Sequence, residues 1–271
     1  MSRPTAALLH RAVRGGPESA LPLRRIVAWT LVGATVLVQI VYPLVPDAFR
    51  TPITVTSVLV FCAATLGDAA RVHGPRGPVV LLAVAGGGGL LVEAVGVHSG
   101  IPFGTYAYTG DLGAQVLGVP AVVPLAWTMM AWPALVVGRR LARRLPVALV
   151  GGVALAAWDL FLDPQMVDAG HWTWAHPDPA LPLVPDVPLT NYAGWLVVSV
   201  AMVGALDRLL PRDGGPSGPA AALYLWAYGS SVVAHVLFFD RPGSALVGGI
   251  VMGAVALPFA RSLWIRRGQS A

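Results

Sequence analysis

Long apolar runs separated by short polar breaks cover almost the whole chain. After a polar, arginine-bearing stretch at 1–25, they occupy about 26–45, 53–70, 78–98, 116–138, 146–167, 190–210, 219–239 and 243–263. Each approaches the ~20 residues a helix needs to cross a hydrocarbon core roughly 30 Å thick. Only helices and closed barrels satisfy their backbone polar groups at that depth. The pattern predicts an all-α polytopic bundle of about eight transmembrane helices, forming one domain over 26–264. Residues 1–25, with Arg3, Arg11, Arg14, Arg24 and Arg25 among Gly and Pro, read as a disordered basic tail, and 265–271 as a second tail. The first run is longer than a signal-peptide core and lacks a small-residue cleavage site after it, so it is expected to be retained. The run at 146–167 is the least defined in extent, because Asp163-Pro164 falls in its last turn.

Composition agrees with the pattern. The 271 residues are 56% hydrophobic and only 11% charged, against about a quarter charged in soluble domains, and the mean hydropathy is +0.69. A net charge of +5 would suggest nucleic acid as partner in a soluble chain. Here the basic residues are all arginine and they alternate by loop. The N-terminal tail, Arg71 and Arg76, the Arg139–Arg144 cluster, Arg208 and Arg212, and Arg261, Arg266 and Arg267 fall on one side, with only Arg50 and Arg241 opposite. Short cytoplasmic loops retain arginine, so both termini are expected to be cytoplasmic and no nucleic-acid role is implied. The single Cys62 excludes a disulfide within the chain and a cysteine metal site.

Within the apolar runs, acids are the informative residues. A carboxyl group in hydrocarbon costs several kcal/mol unless neutral or partnered, which makes an intramembrane acid a functional hypothesis. Asp159 and Asp163 lie four apart, on one helical face that Gly152 and Ala156 extend as a small-residue stripe suited to seating a neighbouring helix. At about 1.5 Å per residue, Glu93, Asp159 and His235 all stand roughly 20–25 Å from the cytoplasmic ends of their helices. Gly86, Gly89, Gly96 and Gly100 share the Glu93 face, and Tyr228 and Ser231 share that of His235. Convergence in a pocket beneath the two long outer loops, 99–115 and 168–189, is expected. The aromatic residues of those loops suit either an interfacial belt or a lid. Asp68 with Arg71, Asp207 with Arg208, and Asp240-Arg241 read as interfacial ion pairs, and His98 as a structural histidine. Residue type alone would allow a hard cation at Glu93, Asp159 and Asp163, or a haem between His98 and His235. Gly86–Gly89 lack the strand and Lys-Ser/Thr of a phosphate loop and read as close packing or a local break.

An ordered series of motifs resembles one family. It comprises Glu93 with Gly96, Gly100-Ile101-Pro102-Phe103-Gly104-Thr105-Tyr106-Ala107-Tyr108, Leu117-Gly118-Val119-Pro120, Val123-Pro124-Leu125-Ala126-Trp127, Trp158-Asp159-Leu160-Phe161-Leu162-Asp163-Pro164, Trp172-Thr173-Trp174, and Asn191-Tyr192-Ala193-Gly194-Trp195. Across roughly 85–200 the chain resembles the integral-membrane carotenoid biosynthesis family typified by bisanhydrobacterioruberin hydratase and γ-carotene 1′-hydroxylases. It departs from that pattern at His176-Pro177-Asp178-Pro179 through Val187, which bears on substrate preference. The resemblance implies addition of water across the terminal C1=C2 bond of an acyclic, lycopene-derived carotenoid end group, without a redox cofactor. It also implies a cell-membrane location and other carotenoid-pathway enzymes as candidate partners.

The residues suit that chemistry when read independently. Hydrating an isolated alkene needs an acid, tolerance of a tertiary cation, and one placed water. Paired carboxyls in an apolar setting can divide those tasks, one protonated and one ionised. Asp159 or Glu93 is the expected proton donor, Asp163 its partner, and His235 a water-positioning group. Trp127, Trp158 and Trp195 offer π faces to a cation, and Phe103, Tyr106, Trp174 and Asn191 complete the expected substrate site. Two other readings stay open: a prenyltransferase holding Mg²⁺ on Asp159-x-x-x-Asp163, and a proton-coupled lipid transporter.

Overall fold

The computed structural model describes residues 17–142, 145–212 and 217–269, with side chains described between 23 and 265 within those limits. Eight long helices account for the apolar runs: α1 Pro17–Val41, α2 Arg50–His73, α3 Arg76–Ser99, α4 Val122–Leu141, α5 Val147–Asp168, α6 Leu189–Leu209, α7 Gly218–Leu237 and α8 Pro242–Gln269. Each is long and apolar enough to span a bilayer, as the pattern predicts. Burial ranks them. The spans of α4 and α5 are 72% and 61% buried, against 22% for α1, so α4 and α5 form the axis around which the others pack. Leu91, Val197, Leu237 and Ile250 are exposed on the outer helices, where hydrocarbon rather than water is the matching solvent.

Small residues set the closest approaches. A Cβ on Gly152 would meet the Val200 backbone of α6 at 2.6 Å, and one on Gly151 would meet the Ala134 carbonyl of α4 at 3.0 Å. The stripe leading to Asp159 thus seats α5 on α6, as expected. Pro133 inside α4 cannot donate to the carbonyl of Met129, and Thr65 Oγ1 of α2 takes that oxygen at 2.7 Å. In α3 the run Leu82–Gly87 is π-helical, so the four-glycine segment combines a local irregularity with close packing.

Several boundaries and pairings differ from the sequence reading. The fourth span begins at Val122, because Gln115–Val116 (β2) pairs with Val119–Pro120 (β3) around Leu117 (φ 54) and Gly118 (φ 81), a backbone path no helix follows. The helix α1 starts at Pro17, within the expected tail, and α8 continues to Gln269. The tail before Pro17, including Arg3, Arg11 and Arg14, lies outside the described residues, as do Arg143 and Arg144. Proline at 164 does not end α5, which continues to Asp168. Asp207 pairs with Arg139 at 2.9 Å and with Arg212, not with Arg208, which bonds its own helix at Gly204. Arg241 reaches Asp168 and Asp186 rather than Asp240. Asp68 does pair with Arg71, at 2.8 Å, but is fully buried and also accepts from Trp132 Nε1 and Ser217 Oγ. It therefore ties α2, α4 and α7 together at the end of the bundle opposite the two long loops.

Candidate functional site

The two long loops meet as an antiparallel ribbon: Tyr106–Tyr108 (β1) pairs with Trp172–Trp174 (β4), Tyr106 opposite Trp174 and Tyr108 opposite Trp172. Alternation along a strand puts residues two apart on one face. Tyr106 and Tyr108 therefore point the same way, as do Trp172 and Trp174, and that face is turned into the bundle. At its outer edge, Thr109 N–H donates to the His171 carbonyl at 3.1 Å, and His171 Nδ1 meets Asp111 Oδ2 at 2.7 Å. Two further strands, Ala180–Leu181 (β5) and Val184–Pro188 (β6), pair within the second loop.

Beneath the ribbon lies a cavity of about 180 Å³. Every substrate residue expected from the sequence lines it: Phe103, Tyr106, Trp127, Trp158, Trp174, Asn191 and Trp195. Trp127 and Trp195 stack with ring centres 3.8 Å apart, and Trp158 stands edge-on to Trp195 at 6.3 Å. The wall is thus largely π surface, which suits a polyene or a cation.

Glu93 lines one end and is 5% exposed. Its Oε2 accepts from Tyr106 Oη at 2.5 Å and from Tyr108 Oη at 2.9 Å, and Oε1 accepts from Trp127 Nε1 at 2.9 Å. Burial and the adjacent Glu93 hold both phenols well above their ordinary value, so they remain donors. Glycines make this possible. A Cβ on Gly89 would meet the Trp127 ring at 2.9 Å, and one on Gly96 would meet Tyr106 Oη at 2.8 Å. These glycines lie four before and three after Glu93, so the stripe of small residues on α3 is the slot that admits two of its donors.

Asp163 also lines the cavity, accepting from Trp172 Nε1 at 3.1 Å and from Asn191 Nδ2. The same Asn191 amide donates to Asp159 Oδ2 at 2.9 Å. Asp159 is fully buried behind the wall, its Oδ1 without a hydrogen-bond donor among the described residues, and the one Asn191 nitrogen brings its Oδ2 beside that of Asp163. Two carboxyls in contact can hydrogen-bond to each other only if one carries a proton. Asn191 therefore binds the acids to each other rather than holding substrate with its amide.

Placement differs for His235. It is buried, but both ring nitrogens face backbone carbonyls, Ser231 at 2.8 Å and Phe161 at 3.1 Å, and it does not line the cavity. A neutral ring donates to one of these carbonyls and turns its other nitrogen toward the second, so neither nitrogen faces the cavity, which corrects the water-positioning role expected for it. His98 bonds Ala94 in its own helix and is exposed. Among the described residues no three His, Cys, Asp or Glu side chains are placed to share a metal ion. Tyr108 and Trp172 were not among the expected site residues. Period-two alternation from Tyr106 and Trp174 was the signal that marked them.

Eight bilayer-length helices around a lidded aromatic cavity with acids at one end define a multi-pass membrane protein. The chain belongs to the carotenoid biosynthesis protein family, whose model matches residues 52–255. It is similar to the bisanhydrobacterioruberin hydratase of Haloarcula japonica, 33% identical over 129 residues. That match takes in 45% of this chain and 42% of the relative, less than half the length of either. No solved structure matches the chain.

Proposed function

We propose that the protein is a carotenoid hydratase, adding water across the terminal C1=C2 bond of an acyclic carotenoid end group to give a tertiary alcohol. The observation that carries this reading is the pairing of Glu93 and Asp163 on one aromatic-walled cavity at membrane depth. Family membership and the hydratase named above support the substrate class. An acyclic end group would reach the acids from the lipid, and the ribbon would keep bulk water off the reacting bond.

In this scheme the two aspartates share one proton, held at rest on Asp159, whose Oδ1 meets no donor among the described residues; it passes to Asp163, at the cavity wall, which delivers it to C2, leaving a tertiary cation at C1. Asp159, held against it by Asn191, shares and returns that proton. Glu93 is oriented by three donors and donates none in this structure, an arrangement that fits a carboxylate. It would stabilise the cation alongside the stacked Trp127 and Trp195. Water oxygen then bonds to C1 and its surplus proton returns to Asp163, so the acid is regenerated and no redox cofactor is consumed. A diphosphate-binding prenyltransferase fits less well, because among the described residues no arginine lines the cavity to meet the phosphates. Both termini are assigned to the cytoplasm of a bacterial inner membrane on the arginine distribution, which puts the ribbon on the outer face.

Expression in a host that accumulates lycopene tests the reading. The expected product carries the mass of one or two added waters and dehydrates as a tertiary alcohol; recovery of unchanged lycopene from membranes holding the folded protein would reject it.

A further inference from the structure

The cavity has a second group of polar wall residues, on helices that carry none of the three acids. Gln39 of α1, Ser57 of α2, and Ser230 and Ser231 of α7 all line it. Trp226 Nε1 donates to Gln39 Oε1 at 2.8 Å, and Gln39 Nε2 donates to Ser57 Oγ at 3.2 Å. This fixes the amide orientation and leaves its second N–H and the Ser57 O–H unused among the described residues. Several threonines in the helices behave differently, while Ser199 Oγ, buried off the cavity, is also without a partner among the described residues. Thr35, Thr54 and Thr128 each return their hydroxyl to the carbonyl four residues back, at 2.8–2.9 Å, the ordinary way to satisfy such a group in an apolar helix. Neither Ser57, Ser230 nor Ser231 does so, and the hydroxyls of Ser230 and Ser231 have no partner among the described residues.

We propose that this part of the cavity, around Gln39 and Ser57, is a water subsite that supplies the nucleophile for the hydration. It rests on the hydratase reading and deepens it. Unsatisfied hydroxyls in a lipid-embedded wall are costly, and a water is held where two to four polar groups surround enough space. One water needs about 10–15 Å³ by the measure that gives this cavity 180 Å³. The chemistry also requires it. Each turnover consumes one water, while Phe103, Tyr106 and Trp172 are 2%, 7% and 8% exposed and cover the acids from the outer face. The Gln39 amide and the serines offer donors and acceptors on α1, α2 and α7, elements that carry none of the three acids. A water there can add to C1 after Asp163 has protonated C2, and the surplus proton passes to the Asp163 carboxylate.

Partitioning of the cation provides the test. If water is late, the cation loses a proton back to carboxylate and reforms the alkene, so that in D₂O the recovered substrate carries deuterium. Full-length protein in proteoliposomes, given lycopene in D₂O, is assayed as wild type, Gln39→Leu, Ser57→Ala and the Ser230→Ala/Ser231→Ala double variant. The expected result is alcohol formation down by about tenfold, the scale of one lost hydrogen bond to the incoming water, with the ratio of deuterium exchange to alcohol up by about the same factor. Ser57→Ala, the smallest change, keeps the test open if Gln39→Leu does not fold. Loss of exchange and alcohol together, or an unchanged ratio in all variants, would overturn the water subsite. So would a KM increase seen only with a hydroxyl-bearing acyclic carotenoid, which would assign this part to a substrate oxygen. A wild type that makes no alcohol would instead reject the hydratase reading itself.

Discussion

Asp163→Asn separates the acid's chemistry from its structural role. The carboxyl accepts on both oxygens, from Trp172 Nε1 at 3.1 Å and from Asn191 Nδ2, and both partners are pure donors there. An asparagine offers one acceptor oxygen and one donor NH₂, so one of the two contacts becomes donor against donor. Leaving a buried donor unmet costs about 1–3 kcal/mol, a loss a bundle with this much buried surface should survive. The chemical loss is larger: removing a general acid lowers a rate by about 10²–10⁴-fold, equivalent to about 3–5.5 kcal/mol of barrier. The assay is lycopene conversion in membranes normalised to folded protein by detergent size-exclusion chromatography, with the melting temperature measured on the same sample. Conversion above a tenth of wild type in a folded Asp163→Asn protein would remove Asp163 as the donor. Asp159→Asn with a similar loss is expected, since Asp159 shares the proton.

Other consequences reach other parts of the structure. Gly89→Ala places a methyl 2.9 Å from the Trp127 ring, so the indole must leave Glu93; overpacking of this kind costs about 1–3 kcal/mol, and a lowered melting temperature with reduced conversion is expected, checked by thermal unfolding in detergent. Asp68→Asn unbalances the buried contact with Arg71 and should cost on the order of 3 kcal/mol, seen as a lower melting temperature, while turnover per folded molecule at 25 °C stays near wild type because Asp68 is not on the cavity. The Asp111 carboxyl is drawn upward by partial burial, but hydrogen bonds from Thr109 and His171 outweigh this and hold it below its ordinary 3.8. A depressed carboxyl stabilises above its unfolded value and loses that contribution as pH falls through the folded one. Hydrogen exchange at the Thr109 amide, bonded to the His171 carbonyl, should thus show undiminished protection from this pair down to about pH 4 and weakening below it; protection that collapses by pH 6 would contradict the assignment.

Periodicity and length made the bundle legible. Eight apolar runs map onto eight helices because in hydrocarbon the backbone has almost no alternative. Fidelity falls where the chain leaves that constraint: Leu117-Gly118 lies inside an apolar run, yet its left-handed turn makes a hairpin that hydropathy alone does not register. The cavity's aromatic lining was legible from motif residues, and the glycine stripe pointed correctly to the face of Glu93. Their mutual use was not. That Gly89 and Gly96 make room for Trp127 and Tyr106, or that Asn191 joins Asp159 to Asp163, depends on which helices are neighbours, and sequence spacing within one helix carries no such information. His235 shows the converse error. Depth placed it level with the acids, but depth says nothing about rotation toward Ser231 and Phe161 carbonyls. Arg241, and Asp207 in its contact with Arg139, found partners far along the chain for the same reason, since loop proximity outweighs adjacency for long side chains.

The most direct measurement is isotope incorporation. Proteoliposomes containing only this protein and lycopene, in H₂¹⁸O with a chelator and no nucleotide, should yield a tertiary alcohol carrying one ¹⁸O per hydrated end, with the Asp163→Asn protein giving at most a hundredth of that signal. Alcohol oxygen derived from O₂, or a product that forms only on adding a prenyl diphosphate and Mg²⁺, would contradict protonation and water capture by these acids.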